Sequence, residues 1–296
     1  MKIGIIGAGS VGLLFAAKLS ASFPVTLYTK TKTQAKLLND NGILLDGTKV
    51  KSASFHASSE TIYEEDIQIV TVKQYQLEKI VGNLKRTTSR TVIFLQNGMS
   101  HISCMNELAH HRLYVGVVEH GALKINDYHV CHTGKGLTRL SAYHHNDDKN
   151  LKPLLVSKLA VFPFIYEEDW YEMLSKKLLV NICINPLTAL FKVKNGGLLQ
   201  NDYLYKLFET VFDEAFLALK LNNREFYWRH VHTICEKTSA NTSSMLEDIL
   251  HHRRTEVDAI VGYMLEKAKR EGMPVPALRF LYFAIKGLEE EKGELT

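Results

Sequence analysis

Six residues near the start of the chain, Gly7-Ala8-Gly9-Ser10-Val11-Gly12, have the spacing G-x-G-x-x-G. The chemistry open to such a run is phosphate binding. A first glycine permits a tight turn, a second lets backbone approach a pyrophosphate, and a third lets a helix pack on a strand. The run follows a strand-like segment at residues 2–6 and opens a helical pattern over residues 11–20. A helix N-terminus at that point presents unpaired N–H groups and partial positive charge. All six residues are therefore candidate dinucleotide contacts. The second strand, residues 25–29, runs into Lys30-Thr31-Lys32. A chain that binds NAD usually carries an acid there for the ribose 2′-hydroxyl. Two lysines instead can meet a 2′-phosphate, as point charges without arginine's fork, so the expected cofactor is NADP(H).

A second group lies in the other half. Lys177, Asn181 and Asn185 follow at four-residue steps, which keeps them near one stripe of a helix. Leu178, Leu179, Val180, Ile182 and Ile184 make that helix apolar nearly all round, and buried polar groups need partners. Periodicity alone leaves Lys176 and Lys177 both open as the inward lysine. Pro186 should bend or end the helix. Ser244 and Glu247 have capping-box spacing, so Ser244 is expected to cap a helix, where a carboxylate could also bind. Glu256 falls on the core-facing stripe of the same expected helix. A buried acid is rare unless paired, and a lysine from another helix is its natural partner. Lys73 with Gln76, and Asn97-Gly98, follow the third and fourth strands, where open α/β sheets bind ligands. His132-Thr133-Gly134-Lys135-Gly136 reads as a β-turn.

These residues sit on two kinds of pattern. The first half alternates strands (2–6, 25–29, 67–72, 91–95, 114–118) with helices (11–20, from 33, 77–84), which predicts a parallel, doubly wound α/β sheet. Residues 161–166 are the expected last strand. Beyond them the pattern is helical, over 171–185, 203–221, 225–238, 244–270 and 277–290. The expected domains are 1–167, for the cofactor, and 168–296, for substrate and catalysis.

Composition narrows the function. The chain has 296 residues, 46% hydrophobic and 23% charged, which excludes disordered and collagen-like classes. Its 36 basic residues are scattered among 32 acidic ones, so neither nucleic acid nor a membrane surface is expected as partner. No apolar run reaches the roughly 20 residues of a membrane helix. Four cysteines without a CxxC pair suit a reduced, cytoplasmic setting. The histidines show no metal-site spacing, and no metal is expected.

With these residues in view, the chain resembles the ketopantoate reductase (2-dehydropantoate 2-reductase) family from Met1 to about Leu288. The segments that carry the likeness are Gly7 to Gly12, Val70-Thr71-Val72-Lys73 with Gln76, Leu95-Gln96-Asn97-Gly98 and His132-Thr133-Gly134. More specific are the run from Lys177 through Asn181 and Asn185 to Pro186-Leu187-Thr188-Ala189-Leu190, and Ser243-Ser244-Met245-Leu246 with Thr255-Glu256-Val257-Asp258. The resemblance implies a Rossmann-type domain that binds NADPH. It also implies an all-α second domain like that of 6-phosphogluconate dehydrogenase, and reduction of ketopantoate to pantoate on the route to pantothenate and coenzyme A. It maps the catalytic lysine onto Lys177 and the glutamate onto Glu256, which is also counted among the cofactor contacts. Asn181, Asn185, Asn195 and Ser244 map to substrate binding, and Lys30, Lys73 and Asn97 to the cofactor side. Gly197 stands where members often have Glu, and Lys30 where they often have Arg. A homodimer is the expected assembly. The alternatives are a relative acting on another branched 2-keto acid, or a non-catalytic NADP sensor.

Overall fold

The computed structural model describes residues 1–50, 54–144, 151–156 and 162–291. Val161 of the expected last strand and residues 292–296 of the expected second domain lie outside the described residues. The chain forms two compact units, Met1–Gln96 with His101–Met173, and Asn97–Ser100 with Leu174–Thr296.

The first unit is built on an eight-stranded sheet. Its strands, in chain order, are β1 (Ile3–Ile6), β2 (Val25–Tyr28), β5 (Phe55–Ser58), β6 (Ile67–Val70), β7 (Thr91–Phe94), β8 (Arg112–Val118), β11 (Thr138–Ala142) and β12 (Phe164–Tyr166). The missing numbers belong to a second sheet of β3 (Ile43–Leu45), β4 (Thr48–Val50), β9 (Gly121–Lys124) and β10 (His129–Gly134). The main sheet runs β12-β11-β8-β7-β6-β1-β2-β5. β1, β6 and β7 are buried at every residue, as expected of parallel strands covered on both faces. Winding proceeds outward from β1 to β2 on one side and to β6 on the other. The switch point, where such sheets bind ligands, therefore falls at the end of β1.

Two features depart from the expected sheet. β11 pairs antiparallel with β8, because the chain reaches it through β9 and β10 instead of a helical crossover. The His132-Thr133-Gly134 run ends strand β10 and is not a β-turn. The core of the unit gathers Leu13, Leu14 and Phe15 of α1 (Ser10–Leu19) against Ile3, Ile5 and Leu27. Phe15 also meets Phe162 edge to face at 4.9 Å.

In the second unit the described regular elements are helical. They are α6 (Trp170–Phe191), α7 (Gly197–Gln200), α8 (Asp202–Ala218), α9 (Arg224–Lys237), α10 (Ser244–Leu250), α11 (Tyr263–Glu271) and α12 (Pro276–Glu290), with a π-helical turn, Asp258–Gly262, leading into α11. α2 (Lys32–Asn41), α3 (Leu77–Leu84), α4 (Ile102–Met105) and α5 (Lys152–Leu155) belong to the first unit.

α6 continues through Pro186 instead of ending there. The hydroxyl of Thr188 donates within the local turn, lying 2.8 Å from the Ile184 carbonyl and 3.0 Å from that of Asn185. Leu179 and Ile182 before that point and Leu187 after it are buried, and burial of such side chains, about 1.5–3 kcal/mol each, can offset the ladder bond that proline lacks. The expected helix over 244–270 is in fact two. α10 stops at Leu250, and His252 takes a left-handed φ of 50°. α12 is fixed at its start by Glu214, whose two oxygens accept from the N–H groups of Ala277 and Leu278 at 2.9 Å.

Candidate active site

The glycine run occupies the turn between β1 and α1, and its three glycines answer to three different constraints. Gly7 has φ +113°, and a Cβ there would lie 2.8 Å from Val72. A Cβ on Gly12 would come within 1.8 Å of the Gly7 carbonyl oxygen. Gly9 is unlike either, since a Cβ there would meet nothing within 4 Å. Packing therefore requires Gly7 and Gly12 and leaves Gly9 unexplained from within the protein. Its backbone is open on that side. Gly9 is also the N-cap of α1 and gives that helix no side-chain cap, so the first-turn N–H groups suit an anion.

The turn is held from outside. The Thr71 hydroxyl donates to the carbonyls of Ile6 and Gly7, at 3.1 and 2.9 Å. Gln34 donates to the Ala8 carbonyl at 3.1 Å. Ser10 accepts from the Lys124 N–H at 3.1 Å, and Val11 packs against the core. At the end of β2, Lys30 and Lys32 are exposed, and between them Thr31 caps α2 through the Gln34 N–H at 3.2 Å. Lys73 is half-buried just past β6. Gln96 ties the ends of the sheet together by donating to the carbonyls of Val70 and Val72.

In the second unit, Asn181 and Asn185 are buried, at 7% and 8% exposure, and Lys177 is half-buried one turn earlier on the same stripe of α6. Lys176 turns elsewhere and places its ammonium 5.4 Å from the ring centre of Phe226 on α9. This separates the two lysines that periodicity left equivalent.

Asn97 and Gly98 belong with this unit although they follow a strand of the other. Gly98 has φ +78°, and a Cβ there would lie 2.1 Å from the Ala259 carbonyl oxygen. Only glycine permits that approach to the π-helical turn. The approach seats Asn97 so that its Nδ2 donates to Glu256 Oε2 at 2.8 Å. Glu256 thus stands at the mouth of the π-helical turn instead of in the middle of a long helix. Such turns are frequent at functional sites.

Ser244 is not the N-cap. The cap of α10 is Ser243, whose Oγ accepts from the Leu246 N–H at 3.2 Å and is hydrogen-bonded to the Thr188 hydroxyl at 2.7 Å, with the serine proton free to donate to Thr188 Oγ1. That second bond, from α6, buries Ser243 and decides between the two serines. Ser244 is left as the first helical residue with an exposed side chain. Asn195 is engaged in bracing. Its Nδ2 donates to Thr238 Oγ1 at 2.9 Å, its N–H to the Asn241 carbonyl, and its carbonyl accepts from Cys235. The four cysteines are free thiols, and burial pushes Cys235 up to about 11. Among the described residues no helix is long and apolar enough to cross a membrane.

A switch-point glycine turn together with a helical unit bearing lysine, asparagines and a seated glutamate defines a class, the two-domain oxidoreductases of Rossmann type. Residues 3–145 match the family Ketopantoate reductase PanE/ApbA, and residues 169–289 match Ketopantoate reductase PanE/ApbA C terminal. The chain is 43% identical to the 2-dehydropantoate 2-reductase of Bacillus subtilis (strain 168), over all of both chains. A crystal structure of the probable 2-dehydropantoate 2-reductase from Bacillus subtilis superposes with a TM-score of 0.91 at 43% identity, covering 97% of this chain and 100% of the other. A D-mandelate dehydrogenase solved with NADH and anilino(oxo)acetate shares the fold at 22% identity, with a TM-score of 0.86 over 98% and 99% of the two chains. The chain belongs to the ketopantoate reductase family.

Proposed function

We propose that this chain reduces 2-dehydropantoate (ketopantoate) to pantoate with NADPH, supplying pantoate for pantothenate and coenzyme A. The observation that carries the substrate is the full-length match to the Bacillus subtilis reductase. A nicotinamide cofactor goes with the fold and the reductase family, and the open face at Gly9 fits a pyrophosphate. The choice of NADPH rests on Lys30 and Lys32, exposed where an acid would otherwise read the ribose. Residues 1–167 would hold the cofactor, through Gly7 to Gly12, Lys30 and Lys73. Residues 168–296 would hold the keto acid, with Asn97 and Glu256 between the two tasks.

The bound nicotinamide supplies a hydride. The residues of the chain do the rest. As the C2 carbonyl becomes an alcohol, negative charge grows on its oxygen, and the Lys177 ammonium stabilises that charge and gives it a proton. Glu256, oriented by Asn97, is the acid that would pair with the Lys177 ammonium and orient it toward the carbonyl oxygen. Asn181 and Asn185 offer amide groups to the substrate hydroxyl, and the exposed Ser244 hydroxyl offers a donor to its carboxylate. Asn195 belongs to the substrate set by resemblance, and its contacts make its contribution one of shaping the α6–α7 connection.

The test is a comparison of ketopantoate with 2-ketoisovalerate, which lacks the hydroxyl. A site built to bond a hydroxyl can reject the analogue by up to about 10⁴–10⁵ in kcat/KM. Comparable efficiency on both would contradict the reading of Asn181 and Asn185. A cytoplasmic setting is part of the proposal, supported by the free thiols. So is a homodimer, supported by Phe280 and Phe283, which are 64% and 58% exposed one turn apart on α12. Sedimentation velocity checks the latter.

A further inference from the structure

We propose that Glu289, near the end of α12, is a positioning residue for Glu256. The proposal rests on the catalytic reading of Glu256 given above. Thr255, next to Glu256, is 1% exposed, and a buried N–H must find an acceptor. The acceptor is Glu289 Oε1, 2.7 Å from the Thr255 nitrogen and 2.6 Å from its hydroxyl oxygen. The same hydroxyl accepts from the Val257 N–H at 3.1 Å. One carboxylate oxygen therefore fixes both the N–H and the hydroxyl of the residue that leads the chain into Glu256.

The hold extends to the other side of Glu256. Tyr282, Lys286 and Glu289 follow at four- and three-residue steps, on one face of α12. The Tyr282 hydroxyl donates to Asp258 Oδ1 at 2.9 Å, and Lys286 Nζ lies 3.5 Å from Asp258 Oδ2 and 2.7 Å from Glu289 Oε2. The hydrogen bond to Glu289 is the leading cause that raises Lys286 above its ordinary range. The stripe thus grips Thr255 and Asp258, the residues flanking Glu256–Val257, at the point where the backbone enters the π-helical turn. Glu289 is itself nearly buried, its side chain 8% exposed. An apolar residue there would avoid the cost of desolvating a carboxylate but would leave the buried Thr255 N–H without its acceptor. What the carboxylate adds is a fixed direction for the backbone bearing Glu256.

The experiment is a double-mutant cycle on ketopantoate reduction by the full chain. Glu289→Ala should lower kcat about tenfold or more, as small misplacements of catalytic groups do, with the KM for NADPH within about twofold of the parent. Glu289→Gln keeps an acceptor oxygen for Thr255 and should recover most of the loss. In a Glu256→Ala background, Glu289→Ala should change kcat by less than about twofold, since coupled residues are not additive. If the loss persists undiminished in that background, or if Glu289→Ala keeps the parent kcat, the proposal is overturned while the role of Glu256 stands. Full activity of Glu256→Ala overturns both. Should Glu289→Ala fail to fold, Thr255→Ala keeps the backbone link to Glu289, removes the hydroxyl's bonds to Glu289 and to the Val257 N–H, and should lower kcat about threefold; the parent kcat in folded Thr255→Ala overturns the proposal.

Discussion

Asn97 Nδ2 donates to Glu256 Oε2 at 2.8 Å, across 159 positions of sequence. The bond exists because Gly98 lets the turn after β7 press against the Ala259 carbonyl. It gives the acid a fixed orientation that its own short lead-in could not supply. Asn97→Ala removes a donor from a charged acceptor, a loss of about 1.5–3 kcal/mol, so kcat/KM should fall roughly tenfold to a hundredfold. Asn97→Asp should fall further, because it sets like charges side by side. Steady-state kinetics of the two variants, with melting to confirm the fold, checks both.

The glycine turn makes a prediction that separates packing from binding. Gly12→Ala drives a Cβ into the Gly7 carbonyl and should destabilise the chain by about 2 kcal/mol. Gly9→Ala meets no protein atom within 4 Å. It should melt like the parent and bind the nicotinamide cofactor about tenfold or more weakly. Cofactor titration and thermal melts of the same two samples read out the difference. Unchanged affinity in Gly9→Ala would contradict a pyrophosphate at that face.

Cofactor choice turns on Lys30. Lys30→Ala should raise the KM for NADPH several-fold and leave that for NADH nearly unchanged, since only the 2′-phosphate differs. Initial rates with both cofactors decide it, and equal use of the two by the parent chain contradicts the assignment.

Two buried histidines set a pH limit on stability. Burial pushes His101 down to about 4, and burial, with His132 and Lys18 nearby, pushes His120 down to about 4. The unfolded chain takes up these protons near pH 6.5 and the folded chain does not, so stability is complete above about 6.5 and falls as pH drops toward 4. At pH 5 each histidine should cost on the order of 2 kcal/mol. Urea unfolding at pH 7 and pH 5 measures the loss. His101→Leu cannot titrate at that position, so its loss between the two pH values should be smaller by about that amount.

The parts legible in the sequence were those where one short segment carries the whole constraint. The glycine turn is such a segment, because strand, turn and helix follow without interruption from Ile3 to Leu19. So is the stripe of Lys177, Asn181 and Asn185, set against apolar neighbours on one helix. What escaped depends on partners remote in sequence. β3 and β10 are short strands whose parallel pairing joins two local hairpins, β3–β4 and β9–β10, from distant parts of the chain. Ser243 rather than Ser244 caps α10 because Thr188 reaches it from α6. Asn97 and Gly98 follow a strand of the first unit, yet their packing is with Glu256 and Ala259. Tyr282, Lys286 and Glu289 read as an ordinary solvated helix face until Thr255 and Asp258 are seen opposite them.

Lys177 as the proton donor is the centre of the account, and its neighbour provides the control. The measurement is turnover of ketopantoate with NADPH, beside direct binding of NADPH, for Lys177→Ala and Lys176→Ala. Loss of a group aimed at a developing oxyanion costs about 2.7–4 kcal/mol, roughly 10²–10³ in kcat. Lys177→Ala should lose at least that much while binding NADPH as the parent does. Lys176→Ala, whose ammonium rests over Phe226, should turn over nearly as fast as the parent. Substantial activity in Lys177→Ala, or an inactive Lys176→Ala, would contradict the account.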